Sequence, residues 1–112
     1  MADDMARADE VTNLTPEEVA AGLRDGRVLL VDVREPNETA HGMIPGSLSM
    51  PLSQFDPAAL RVEDGRRLVF SCAAGVRSRL AVEAARRAGV EADAHLASGF
   101  KGWVAAGAPI VY

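Results

Sequence analysis

Cys72 is the only thiol in the 112-residue chain, and its neighbours decide what it can do. It closes an apolar run, Arg67-Leu68-Val69-Phe70-Ser71-Cys72, and opens the loop Cys72-Ala73-Ala74-Gly75-Val76-Arg77, which leads into a helical pattern. The first N–H groups of a helix lack partners within the helix and carry partial positive charge, so they favour an anion. Ala73, Ala74 and Gly75 are small enough for backbone amides to converge without side chains in the way. Such a setting stabilises a thiolate over a thiol. Arg77 adds positive charge at the rim. The chemistry expected is that of a nucleophilic cysteine in an anion-binding cradle. A single thiol forms no internal disulfide, no CxxC redox pair and no Cys-rich zinc site. No metal site and no cofactor is expected.

A second group of residues surrounds this loop in prospect. Asp32 and Arg34 lie two apart at the end of another apolar run, so they share a face. Ser78 follows Arg77 in the first helical turn, where its hydroxyl is free to bond backbone groups and support the loop. Glu38 either pairs with Arg34 or is solvated. His41 reads as a surface loop residue, His95 as a strand-end residue, and Trp103 as the packing anchor of the last helix.

These positions depend on alternating strands and helices. Val11-Thr12-Asn13-Leu14 reads as a short strand. Thr15-Pro16-Glu17-Glu18 is a helix start, with Thr15 as cap, Pro16 at the first helical position and Glu18 completing a capping box. Val28 to Val33 is a continuous β-branched and apolar run, as expected for a strand covered on both faces. Glu35-Pro36-Asn37-Glu38 suggests a helical turn, and Ser47 to Met50 a short extended piece. Arg67 to Cys72 is the second strong strand. A helix is expected from about Arg77 to Ala88, with Leu80, Ala81, Ala84, Ala85 and Ala88 inward and Glu83 paired outside with Arg86 and Arg87. Asp93 to Leu96 reads as a strand and Phe100 to Ala106 as a short helix. Such alternation implies an α/β fold, a mostly parallel sheet with helices on both faces. In open sheets of this kind ligands bind beyond the carboxyl ends of the strands, which is where Cys72 should lie.

Composition narrows the function classes. Hydrophobic residues make up 48 % and charged residues 25 % of the chain, which is ordinary globular composition. Net charge is −4, of which residues 1–10 supply −3 through Asp3, Asp4, Asp9 and Glu10 against Arg7. Residues 1–10 are therefore expected to be a flexible acidic N-terminal tail, and 11–112 one domain. No basic stripe with interleaved aromatics is present, so no nucleic-acid partner is expected. No apolar run reaches the roughly 18 residues of a membrane helix. The acidic start lacks the basic and apolar stretches of a secretory leader. No membrane association and a cytoplasmic setting are the expectations.

The loop Cys72-Ala73-Ala74-Gly75-Val76-Arg77-Ser78 resembles the active-site loop of single-domain rhodaneses, the thiosulfate sulfurtransferases. Val31-Asp32-Val33-Arg34-Glu35-Pro36 with Glu38 resembles that family's first signature, and Gly42-Met43-Ile44-Pro45-Gly46-Ser47 its glycine-proline turn. Gly99-Phe100-Lys101-Gly102-Trp103 and Gly107-Ala108-Pro109 resemble its C-terminal signature. Two positions depart from the pattern: Met43 stands where the family usually has His, and Ser98 where it commonly has a second Gly. The resemblance covers nearly all of the chain after residue 11. It implies a single rhodanese-like domain with a five-stranded, mainly parallel sheet and helices on both faces. It also implies hydrogen bonding between Asp32 and Arg34 that organises the site's surroundings.

The reaction implied is two-stage covalent catalysis. Cys72 takes the outer sulfur of thiosulfate or a similar small anionic donor, and a persulfide results. An external acceptor, cyanide or a thiol, including a thiol protein, then removes that sulfur. Two other classes compete. A cysteine phosphatase or arsenate reductase also sets Cys and Arg in an anion cradle, but with five residues between them, where this chain has four, Ala73 to Val76. A non-enzymatic rhodanese-like binding module would not need the cysteine, which this chain keeps.

Overall fold

The computed structural model describes residues 10–112. The expectation of a flexible tail over residues 1–10 therefore lies outside the described residues except at Glu10. Five strands, β1 (Thr12–Leu14), β2 (Val28–Asp32), β3 (Leu48–Ser49), β4 (Arg67–Ser71) and β5 (Ala94–Leu96), form one sheet in the order β1-β5-β4-β2-β3. Every pairing in it is parallel. The helices are α1 (Pro16–Arg24), α2 (Pro36–Thr39), α3 (Val76–Arg87) and α4 (Gly99–Ala105), with two single-turn 3-10 helices between β3 and β4.

The sheet is covered on both sides because its central strands are apolar from Val28 to Val31 and from Leu68 to Phe70, and the period of two divides these residues between two cores. Leu68, Phe70 and Cys72 point with Val31 and Val33 to one face, where they meet Ala81, Val82 and Ala85 of α3. Phe55 adds an edge-on contact with Phe70, ring centroids 5.5 Å apart. Leu30, Val69 and Leu96 point to the other face, against Val19 of α1 and Trp103 of α4. The start of α1 is fixed by a reciprocal box. Glu18 N–H donates to Thr15 Oγ1 at 3.1 Å, and Thr15 N–H donates to Glu18 Oε1 at 2.9 Å.

The inward stripe of α3 differs from the expected one. Leu80 is 50 % exposed, and Ala88 is exposed as well. Ala81 and Ala85 are buried as expected and Ala84 is half-buried, while Ser78 and Val82 are buried in place of Leu80 and Ala88. The helical period is as expected, but its phase is set by Ser78, which turns inward to polar partners, and not by the most apolar side chain. Nor does Arg86 make the expected pair with Glu83: its guanidinium donates to the carbonyls of Ala92 and Glu10, both at 2.7 Å. Trp103 is the anchor of α4, 2 % exposed, with its indole N–H donating to Pro109 O at 2.7 Å. The departure at Met43 is absorbed by backbone pairing. Met43 and Val111 exchange N–H···O bonds of 2.7 and 2.8 Å that ask nothing of the side chain.

Candidate active site

Cys72 is the first residue beyond β4 and only 1 % of it is exposed. Gly75, the residue capping α3, turns its N–H back onto the sulfur at 3.1 Å. Its φ of +98° is a left-handed conformation that side chains resist. A Cβ there would also strike the carbonyl oxygen of Ala97, so glycine is required twice over. The loop is pinned from the other side by the start of α4: Phe100 N–H donates to Cys72 O at 2.7 Å and Lys101 N–H to Ala73 O at 3.0 Å. Ser98, just before this turn, has an ordinary φ of −84°, so the absence of a glycine there carries no backbone penalty. Burial pushes the Cys72 thiol up, but the Ser78 hydroxyl and the backbone N–H groups of Ser78, Ala74 and Gly75 outweigh it. The thiol is held below its ordinary value, which is the electrostatic behaviour expected of the loop.

Asp32 and Arg34 share a face, as their spacing implies, and hydrogen-bond, as the resemblance implies. The guanidinium donates to both carboxylate oxygens, at 3.1 Å from Nε and 2.8 Å from Nη2, and the Arg34 N–H donates to Oδ1 at 2.9 Å. Both residues are buried. Arg34 also donates to Gly42 O at 2.8 Å and lies 4.1 Å above the centroid of the Phe100 ring. It thereby ties the end of β2 to the 42–46 turn and to α4, whose first N–H groups hold the cysteine loop.

Arg77 behaves differently from a free cation at the rim. Both of its terminal nitrogens donate to the Glu38 carboxylate, at 2.7 and 2.8 Å. Glu38 is therefore half-buried and paired with Arg77, not with Arg34. Its carboxyl is lowered to about 2, first by the hydrogen bond from Arg77, against an opposing effect of burial, with help from the Glu35 N–H. Arg77 is raised in turn. A planar two-bond fork prefers a carboxylate that faces it squarely. Arg77 is a strut from α3 to α2, and its charge is already neutralised.

His95 joins the site unforeseen. It is buried, 3 % exposed, and its Nδ1 lies 2.7 Å from Ser78 Oγ. That oxygen is 3.5 Å from Cys72 Sγ. On the other side His95 Nε2 lies 2.8 Å from Asn13 Oδ1. The one available signal was register: Asn13 of β1 stands beside His95 of β5, which stands beside Phe70 of β4, two residues before Cys72. Val76 and Ala74 are exposed and Ala73 half-buried, so they form the outer surface of the loop. His41 is exposed and lies outside this group.

The rhodanese-like domain family matches residues 15–106, which include every residue of this site except Asn13. The chain belongs to the rhodanese-like family. A sulfurtransferase of Allochromatium vinosum is 33 % identical over 102 residues, 90 % of this chain and 95 % of that protein. An uncharacterized protein of Synechocystis, slr1261, is 38 % identical over 102 residues, covering 89 % of this chain but 57 % of its own length. Among solved structures, a Rhodopseudomonas palustris protein described as of unknown function and a possible tyrosine phosphatase superposes with a TM-score of 0.77 at 34 % identity, covering 96 % of this chain and 89 % of that one. The rhodanese-like family is one with sulfurtransferase members, while the Allochromatium sulfurtransferase and the Rhodopseudomonas possible tyrosine phosphatase carry different descriptions of activity.

Proposed function

We propose that this rhodanese-like domain transfers sulfane sulfur through a persulfide on Cys72, from thiosulfate or a similar small anionic donor to an external thiol or cyanide. The observation that carries the reading is the Gly75 N–H aimed at Cys72 Sγ from 3.1 Å inside a loop of four residues between Cys72 and Arg77. The thiolate attacks the outer sulfur of thiosulfate. A new S–S bond forms, the old one breaks, and sulfite leaves with its electron pair. Sulfite needs no proton to depart, so no general acid is required. The persulfide keeps the negative charge where the loop amides lie, and preorganised donors of this type contribute roughly 3–4 kcal/mol each at comparable anion holes. The acceptor comes from outside because the chain has no second thiol to discharge the persulfide.

The phosphatase reading is disfavoured by the same loop. A phosphoryl group needs a wider ring of amides and an arginine free to grip its oxygens. Here the ring is one residue shorter and both terminal nitrogens of Arg77 are engaged by Glu38. Thiocyanate formation from thiosulfate and cyanide, run beside aryl-phosphate hydrolysis, separates the two. Sulfur transfer without phosphate release is expected; the reverse result would favour the phosphatase. The cytoplasmic setting is proposed on the reduced single thiol alone. No helix among the described residues is long and apolar enough to cross a membrane.

A further inference from the structure

The buried imidazole behind the cysteine has no part in the reaction as derived above. We propose that Ser78 and His95 form a proton relay that stores the Cys72 thiol proton on the imidazole, so that the thiolate first appears as one half of an ion pair spaced by the Ser78 hydroxyl. This inference rests on Cys72 being the nucleophile of the proposed sulfur transfer.

The hydrogen-bond inventory of the chain Cys72–Ser78–His95–Asn13 carries the argument. Asn13 Oδ1 is a carbonyl oxygen and can only accept, so His95 Nε2, 2.8 Å away, must hold a proton. In a neutral ring Nδ1 is then bare and accepts from the Ser78 hydroxyl at 2.7 Å. The hydroxyl proton is thereby engaged, and Ser78 Oγ is left to accept from the thiol at 3.5 Å. That arrangement satisfies a thiol, but it leaves a thiolate with the backbone N–H groups alone and a hydroxyl oxygen facing its charge. For the hydroxyl to donate to the sulfur as well, Ser78 must turn, and it can turn only if Nδ1 brings a proton of its own. With Nε2–H held by Asn13, this means the imidazolium.

The proton needed is the one the thiol loses. The Cys72 S–H bond breaks, the sulfur keeps the electron pair, Ser78 Oγ takes that proton, and the hydroxyl's former proton passes to His95 Nδ1. No oxidant or reductant enters. In the product two links donate towards the sulfur, from Nδ1–H to Ser78 Oγ and from Ser78 O–H to Cys72 Sγ, while Nε2–H still donates the other way, to Asn13 Oδ1. The groups facing the ring are Asn13 from β1, Ser78 and the cation Arg79 from α3, and Cys72 beyond β4. Burial, and after it Arg79, lower the His95 pKa and keep the ring neutral at rest. Among the described groups facing the ring, negative charge on Cys72 is the influence of opposite sign, so protonation of the ring follows ionisation of the sulfur. His95 is thus a positioning residue: it decides which way the Ser78 hydroxyl points.

The test uses the intact protein labelled with 15N-histidine, in which only His41 and His95 report. Iodoacetamide alkylation rates against pH locate the range where the Cys72 thiolate first appears. In that range both His95 ring nitrogens should show imidazolium shifts, and at the same pH the alkylated protein should show a bare Nδ1. A ring whose Nδ1 stays bare wherever alkylation detects thiolate overturns the relay. His95→Gln gives the second readout: alkylation should slow roughly tenfold near neutral pH, one unit of thiol pKa, and match wild type at alkaline pH. Equal slowing at every pH would mark a packing effect and overturn the proposal. Asn13→Asp should extend the thiolate to lower pH; no extension counts against it. If His95→Gln fails to fold, the labelled native protein still decides. None of these measurements needs a sulfur donor. A working relay in a protein that never loads sulfur would sink the function and spare the relay, and sulfur loading beside a silent ring would do the opposite.

Discussion

The two ends of the sheet are built from the same parts and use them differently. At the amino ends Arg67 pairs with Asp93 through bonds of 3.1 and 2.9 Å, with side chains 41 % and 53 % exposed. At the carboxyl ends Arg34 pairs with Asp32 at similar distances, with side chains 5 % and 3 % exposed. Gly65 at the amino end has a φ of +84° and open space around it; Gly75 at the carboxyl end has a φ of +98° and a carbonyl against it. An open cleft of about 690 Å³ lies at the amino ends, lined by Leu60, Val62, Arg67, Val90 and Asp93, away from Cys72. On the proposed function, concavity does not locate the chemistry in this molecule. Among the described residues, the buried ion pair and the amide turned onto the sulfur both lie at the carboxyl ends, with the cysteine loop.

Replacing the paired glycines should give the widest separation between the ends. Gly75→Ala combines left-handed strain of about 1–2 kcal/mol with overpacking of about 1–3 kcal/mol, and it shifts the N–H that faces the sulfur. Sulfur transfer should fall at least 100-fold, as a misplacement of about 1 Å allows. Gly65→Ala carries only the strain and should leave activity unchanged. Steady-state assays with denaturant unfolding measure both, and equal effects at the two sites would dissolve the contrast.

The carboxylates come next. Asp32→Ala strands a buried guanidinium and should cost about 3–5 kcal/mol of stability. Asp93→Ala removes a partner from a half-exposed pair and should cost no more than about 1 kcal/mol. Urea midpoints for the two variants give the ratio directly; a larger loss at Asp93 would contradict the burial argument.

Much of this was legible in the sequence and some of it was not, for physical reasons. The strands announce themselves through β-branched runs, and α1 through a capping box whose partners are three residues apart. The period of two puts Asp32 and Arg34 on one face, and the family resemblance implies their bond. Contacts across the fold leave no such trace. Glu38 and Arg77 are 39 residues apart and Asn13 and His95 are 82 apart. Their meeting depends on the crossover order of the sheet, which the alternation alone does not specify. Ser78 was readable as a loop support, but its inward turn needs a polar partner on β5. That same turn displaced Leu80 from the expected stripe.

Two smaller effects sharpen the account of Arg77. Arg77→Lys keeps charge and loses the fork, so it should recover only part of the activity lost in Arg77→Ala. Full recovery by Lys would mean that charge alone matters. The pH dependence follows from Glu38, whose folded value of about 2 lies below its ordinary 4.5. A depressed carboxyl contributes stability that is fully present above about 4.5 and is lost as pH falls toward 2. Thermal midpoints of wild type and Glu38→Gln should therefore converge as pH drops through that window. A gap that stays constant would detach Glu38 from the folded-state ion pair.

The central claim is that sulfur is carried on Cys72, and intact-protein mass spectrometry after incubation with thiosulfate tests it most directly. The account predicts that the wild-type protein gains the mass of one sulfur atom, loses it on addition of cyanide or a thiol, and shows no gain in a folded Cys72→Ser variant. A wild-type protein that stays unmodified with every sulfane donor tried, or a Cys72→Ser variant that gains sulfur equally, would contradict it.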